Sequence, residues 1–162
     1  ADESTNCRDR LEGYREALIA RGIPVDERWI IRPHDDMHLS SAARNALTDL
    51  LLSQERPTAV FCAGYFLALD VIALADQLGI AIPQQLSVLG TDDPVSARYL
   101  NPPLTTLRQP LYEMGRRAAE ILMALRQHRD ETAALHEKLP VELITRASCA
   151  PPQEPNRQPP PA

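Results

Sequence analysis

Apolar positions along the chain recur at helical spacing in four segments and gather into short uninterrupted runs between them. Leu11, Tyr14, Ala17 and Leu18 set a helix across residues 9–21, closed by Gly22 ahead of the turn at Pro24. Trp29, Ile30 and Ile31 then read as a short strand. A second helix, capped by Ser40 or Ser41 and running through Ser53, turns Ala43, Ala46, Leu47, Leu50 and Leu51 inward. The run Ala59, Val60, Phe61 and Cys62 has no polar interruption and predicts a buried strand. From Phe66 to Leu78 a wide stripe (Leu67, Val71, Leu74 and Leu78, with Ala68 and Ile72 beside it) predicts a third helix. Gly79 stops it, and the chain passes Pro83 into a strand at Leu86 to Leu89.

Pro102 and Pro103 exclude helix, Leu104 to Leu107 is a β-favouring run, and Pro110 suits the first position of a helix. That helix runs to Gln127 with Leu111, Met114, Ala118, Ile121, Leu122 and Leu125 on one stripe and Glu113, Arg116, Arg117 and Glu120 elsewhere. Residues 128–137 form a polar connection and 141–147 a last strand. The tail 151–162, crowded with Pro and Gln, is too polar to bury a core and is expected to be disordered. Short buried strands alternating with helices predict a parallel α/β sheet, with its ligand site beyond the carboxyl ends of the strands. There is no internal repeat.

The 162 residues are 44% hydrophobic and 24% charged, an ordinary globular composition. A net charge of −5 argues against a nucleic-acid surface, because phosphate binding needs clustered Lys and Arg. Cys7, Cys62 and Cys149 are odd in number, far apart and without a Cys-x-x-Cys pair, which favours a reducing compartment over a disulfide framework or zinc site. No apolar stretch approaches the roughly 20 residues needed to span a bilayer. The polar start does not read as a signal peptide, so a soluble cytoplasmic protein is expected. Phosphate-loop, nucleophile-elbow and dinucleotide-binding motifs are absent from the sequence, and no cofactor is expected. His34, Asp35, Asp36 and His38 lie in a Pro-broken loop without a helix to fix ligand geometry, so no metal site is expected there. His128 and His136 read as solvated.

Four segments carry a resemblance to a known family. They are Arg10-Leu-Glu-Gly-Tyr-Arg-Glu-Ala-Leu, then Arg56-Pro-Thr-Ala-Val-Phe-Cys-Ala leading to Gln85-Leu-Ser-Val-Leu-Gly-Thr-Asp-Asp, then Pro102-Pro-Leu-Thr-Thr-Leu-Arg-Gln-Pro-Leu-Tyr-Glu-Met, and Leu139-Pro-Val-Glu-Leu-Ile-Thr-Arg-Ala-Ser. In order and spacing they resemble the effector-sensing domain of LacI/GalR-type transcriptional regulators over nearly the whole chain. The resemblance implies a type I periplasmic-binding-protein-like fold, a parallel sheet flanked by helices. Within 1–150, residues 1–98 and 138–149 would form the C-terminal subdomain. Residues 104–127 would be a crossover strand and helix of the other subdomain. It also implies that a DNA-binding headpiece and a first subdomain precede Ala1 in the parent, so operator DNA would be reached only through a headpiece missing here. The expected function is the sensing and dimerisation portion of a repressor whose effector is a sugar or nucleoside, assembled as a homodimer or tetramer. A soluble sugar-binding protein of a transport system is the alternative, and an enzyme is not expected because the carboxylates lack an organised catalytic partner.

On the same resemblance, Arg10 matches an arginine that grips the ligand. Its planar fork suits vicinal hydroxyls or a carboxylate. Asp92, at a strand's carboxyl end with Asp93 beside it, matches a ligand-contacting aspartate and would pair electrostatically with Arg10. At Gly64-Tyr65 the sequence departs from the family's Asn-Asp, which leaves Tyr65 a stacking role, a different effector or the loss of binding. His38 falls near a stacking aromatic of the relatives. Leu69 and Tyr99 match dimer-interface positions, an apolar helix face beside an aromatic.

Overall fold

The computed structural model of the chain describes residues 5–33, 38–127 and 137–152. The acidic and histidine cluster at 34–36, His128, His136 and the tail from residue 153 lie outside the described residues. The elements are α1 (Thr5–Ile19), α2 (Ser41–Leu52), β1 (Ala59–Phe61), α3 (Tyr65–Gln77), β2 (Ser87–Thr91), β3 (Thr105–Arg108), α4 (Leu111–Gln127) and β4 (Glu142–Ile144), with short 3-10 turns at Glu27–Trp29 and Val95–Tyr99. The strands form one sheet in the order β1-β2-β3-β4. The first three are parallel, Phe61 opposite Leu89 and Thr91 opposite Leu107, and β4 runs antiparallel to β3. The α/β fold with a parallel-dominated sheet is the one the apolar pattern predicts.

The core lies where α2 and α3 cover the sheet. Leu47, Leu51, Leu67, Val71, Leu86, Val88 and Leu104 are buried there, with Ala68 and Ala75 at no exposure. Ser40 accepts a hydrogen bond from the Ala43 amide at 3.2 Å and so starts α2 where the cap pattern places it. Gly90 lets helix and sheet approach closely, since a Cβ there would stand 3.1 Å from Leu104 Cδ2 and 3.3 Å from Ala68 Cβ. Cys62 belongs to the same core, where burial, with Asp70 adding, pushes its thiol up to about 12. After β4 the chain is fastened by Ser148, whose hydroxyl donates to the Val88 carbonyl at 2.6 Å and accepts from the Thr105 amide at 2.8 Å.

Two expectations for the first half are corrected. The strand at Trp29 to Ile31 is not formed. Asp26 accepts from the Arg28 amide at 2.9 Å and is gripped by its guanidinium, which winds Glu27–Trp29 into a 3-10 turn. With no strand beside it, β1 is an edge strand, its Ala59 and Phe61 exposed instead of buried. An apolar cavity of about 260 Å³ opens between this segment, α1 and β1, lined by Leu11, Tyr14, Trp29, Ile31 and Val60.

The segment 104–127 divides in the structure. Its strand, β3, is an inner strand of this sheet, bonded to β2 and β4. Its helix, α4, leaves much of its apolar stripe uncovered, with Leu111, Met114, Leu122 and Leu125 exposed.

Candidate ligand-binding site

The parallel register brings three strand ends together. Thr91 ends β2 opposite Leu107 of β3, so Asp92 follows one strand and Gln109 the other at the same edge. Continued two residues beyond Phe61, the β1 register sets Ala63 level with Thr91. Arg10, half-buried on α1, donates from Nη1 to the Ala63 carbonyl at 2.7 Å. Three of the four groups at this edge thus come from loops at strand carboxyl ends, where open α/β sheets place their ligand sites.

The two adjacent aspartates have separate roles. Asp93 Oδ2 accepts from Arg108 Nε at 2.9 Å and Nη2 at 2.6 Å. Its Oδ1 accepts from Thr106 Oγ1 at 2.8 Å and pairs with Arg146 Nη2 at 2.7 Å. The side chain is 3% exposed, and burial opposes its charge. The bonds from Arg108, Thr106 and Arg146 outweigh that and hold the carboxyl at about 2. With both oxygens committed, Asp93 is a structural clamp.

Asp92 stands in the left-handed backbone region at φ 63°, which Asp tolerates better than most residues. Its Oδ1 accepts from the Gln109 amide, and among the described residues its other oxygen has no partner. Thr91, next to it, is 4% exposed with a hydroxyl that meets no partner among them. The direct Arg10–Asp92 pairing expected from sequence is not among the ion pairs of the described residues; Arg10 instead grips Ala63.

Tyr65 opens α3, whose N-cap Gly64 supplies no side-chain bond. The Tyr65 hydroxyl bonds Ser96 Oγ at 2.8 Å, and its ring meets Phe66 edge-on at 5.6 Å. His38 lies against the second turn of α3, with Nδ1 3.2 Å from Asp70 Oδ2 and its ring 5.4 Å from Phe66. Leu69 is half-buried on α3, and Tyr99 is 76% exposed. Sequence reasoning did not single out Gln109, Arg108 or Arg146. The available signal was the Arg-Gln pair where β3 ends, beside the strand that Asp-Asp directly follows. No His, Cys, Asp and Glu cluster among the described residues could hold a metal ion.

An open sheet presenting an arginine, a half-satisfied carboxylate and an amide at its strand ends is the arrangement of an α/β binding domain. The chain belongs to the periplasmic binding protein-like domain family, whose model matches residues 1–149. It is 36% identical over 146 residues to an HTH-type transcriptional repressor PurR of Photobacterium profundum, covering 90% of this chain and 42% of that protein. Among solved structures, a LacI-family regulatory protein from Chloroflexus aggregans superposes with a TM-score of 0.79 at 34% identity, covering 93% of this chain and 53% of the other. A LacI-family regulator from Enterococcus faecium with bound ribose gives 0.70 at 28% identity, covering 89% and 52%. These are the regulators that the sequence motifs resemble. The chain spans less than half the length of the curated relative.

Proposed function

We propose that the chain is the effector-sensing part of a LacI/GalR-type transcriptional repressor, with Arg10 and Asp92 as the polar anchors of a small neutral ligand such as a sugar or nucleoside. The observation that carries this reading is the Asp92 oxygen that meets no partner among the described residues, held at a strand's carboxyl end in a chain of this family. A carboxylate accepts from ligand hydroxyls, and the Arg10 fork supplies donors from α1, where it reaches the end of β1. The bound ribose of the Enterococcus faecium regulator supports a polyol ligand.

In this reading Tyr65 and His38 wall the site, although the Tyr65 hydroxyl must remain on Ser96 or exchange that bond for a ligand. Exposed Tyr99 and half-buried Leu69 belong to a homodimer contact. The sheet of β1 to β4 with α2 and α3 belongs to one subdomain, α4 belongs to the other, and operator DNA is bound by a different segment of a cytoplasmic parent. No catalytic step is assigned. The curated and structural relatives being regulators, a transport role is not favoured.

Calorimetry of the intact parent protein against a panel of sugars and nucleosides tests the reading. Loss of a charged hydrogen-bonding partner costs about 1.5–3 kcal/mol, roughly ten- to hundredfold in affinity, so Arg10→Ala and Asp92→Ala should each weaken binding by that factor. Unchanged affinity in both variants overturns the site.

A further inference from the structure

We propose that Gln109 is a positioning residue that couples the state of Asp92 to the start of α4, an inference that rests on Asp92 being the effector anchor. Gln109 is the last residue but one before α4 and is bonded in two directions. Its side-chain amide donates to Asp92 Oδ1, and its main-chain carbonyl accepts the Leu111 amide at 2.9 Å. The next carbonyl, that of Pro110, accepts the Met114 amide at 2.9 Å and begins the helical ladder. A change in what Asp92 accepts therefore alters the residue that holds the first turn.

The neighbouring link is built differently. Asp93 and Arg108 join the same two strand ends, and their contact is reinforced by Thr106 and Arg146 around a buried carboxylate. That link fixes β2 to β3 whether or not a ligand is present. The Asp92–Gln109 link is a single hydrogen bond beside an oxygen without a partner among the described residues, and a donor arriving at Asp92 competes with it or strengthens it. A fixed bond and a replaceable one on adjacent residues let the strands stay in register while the helix start responds. The helix that would respond is the one whose apolar stripe the sheet does not cover.

The link is testable without any effector, so its failure is distinct from failure of the ligand assignment. In the full 162-residue chain labelled with ¹⁵N, the Gln109 side-chain amide and the backbone amides of Leu111 and Met114 are compared among Asp92→Asn, Gln109→Glu and the double variant. The core amides of Ala68 and Val88 report that each variant is folded. Each single change should move the Leu111 and Met114 resonances well beyond those core amides. The double change reverses donor and acceptor, an asparagine amide facing a glutamate carboxylate, and should return them towards the original positions. Where the glutamate prevents folding, Gln109→Met removes the donor at similar size and should move the same resonances. Shifts confined to the substituted residues, or double-variant shifts that are the plain sum of the single ones, overturn the coupling.

Discussion

Asp93→Asn removes the charge at the centre of the β2–β3 clamp while keeping the shape of the side chain. One acceptor oxygen survives, and the new amide faces guanidinium donors on the other side. The Arg146 arm is the costly one, because that side chain is 13% exposed and Asp93 3%. Breaking a buried pair costs about 3–5 kcal/mol. Arg146 keeps its bond to the Leu104 carbonyl at 2.6 Å, so the lower end, about 3 kcal/mol, applies. Arg108 is 44% exposed and retains Glu142 at 3.3 Å, and solvent screening leaves that arm a minor part of the loss.

The expected loss at neutral pH is therefore about 3 kcal/mol, a large part of a domain's stability of about 5–15 kcal/mol. Urea unfolding followed by circular dichroism should show the midpoint fall by roughly 1.5 M, taking a slope of about 2 kcal/mol per M. The pH dependence carries a sign of its own. A carboxyl held at about 2 when folded and near 3.8 otherwise stabilises the fold fully above the higher value and loses that contribution as pH falls through the lower one. The difference between the natural chain and Asp93→Asn should hold from pH 7 to about pH 5 and shrink between about pH 4 and pH 2. A loss under about 1 kcal/mol at neutral pH, or one that does not narrow on acidification, would refute the clamp.

Gly90→Ala should destabilise by about 1–3 kcal/mol in the same urea assay, because the added methyl presses on Leu104 and Ala68, neither of which has free space. Gly115→Ala on α4 meets nothing within 4 Å and should instead stabilise by up to about 1 kcal/mol through helix propensity. For α4 itself, hydrogen exchange with light scattering on the isolated chain should show self-association or rapid exchange across residues 111–125, while the βα core of residues 59–89 stays protected. A strictly monomeric chain with α4 as protected as that core would contradict the exposed stripe.

The periodic signals located all four helices within a few residues; for α2 and α3 the stripes Leu47/Leu51 and Leu67/Val71/Leu74 are also the contacts that hold them, while the α4 stripe is left exposed. They failed at Trp29 to Ile31, where three apolar residues in a row satisfy a strand pattern. There the decision belongs to Asp26 and Arg28, whose local bonds compete with extended pairing. The misreading of β1 followed directly, since burial of an apolar run needs neighbours on both sides. Arg10 and Asp92 were legible as candidates through the motifs around them. Arg146 was not, because it reaches Asp93 from 53 positions away and only the β3–β4 register brings it there.

What separates Asp92 from Asp93 is backbone conformation more than side-chain chemistry. In a continuing strand, adjacent residues would simply alternate between faces of the sheet. At Asp92 the strand has ended and φ turns positive, so the pair is divided between the sheet's own arginines and the edge where Gln109 waits. The left-handed residue costs some conformational energy, and such strain persists only where surrounding structure over-determines it. The Asp93 clamp supplies that determination, with the folded chain holding its carboxylate ionised down to about pH 2. Weakening Asp93 should therefore loosen the geometry of Asp92 as well, which makes the clamp a condition for the proposed binding site and not merely a neighbour of it.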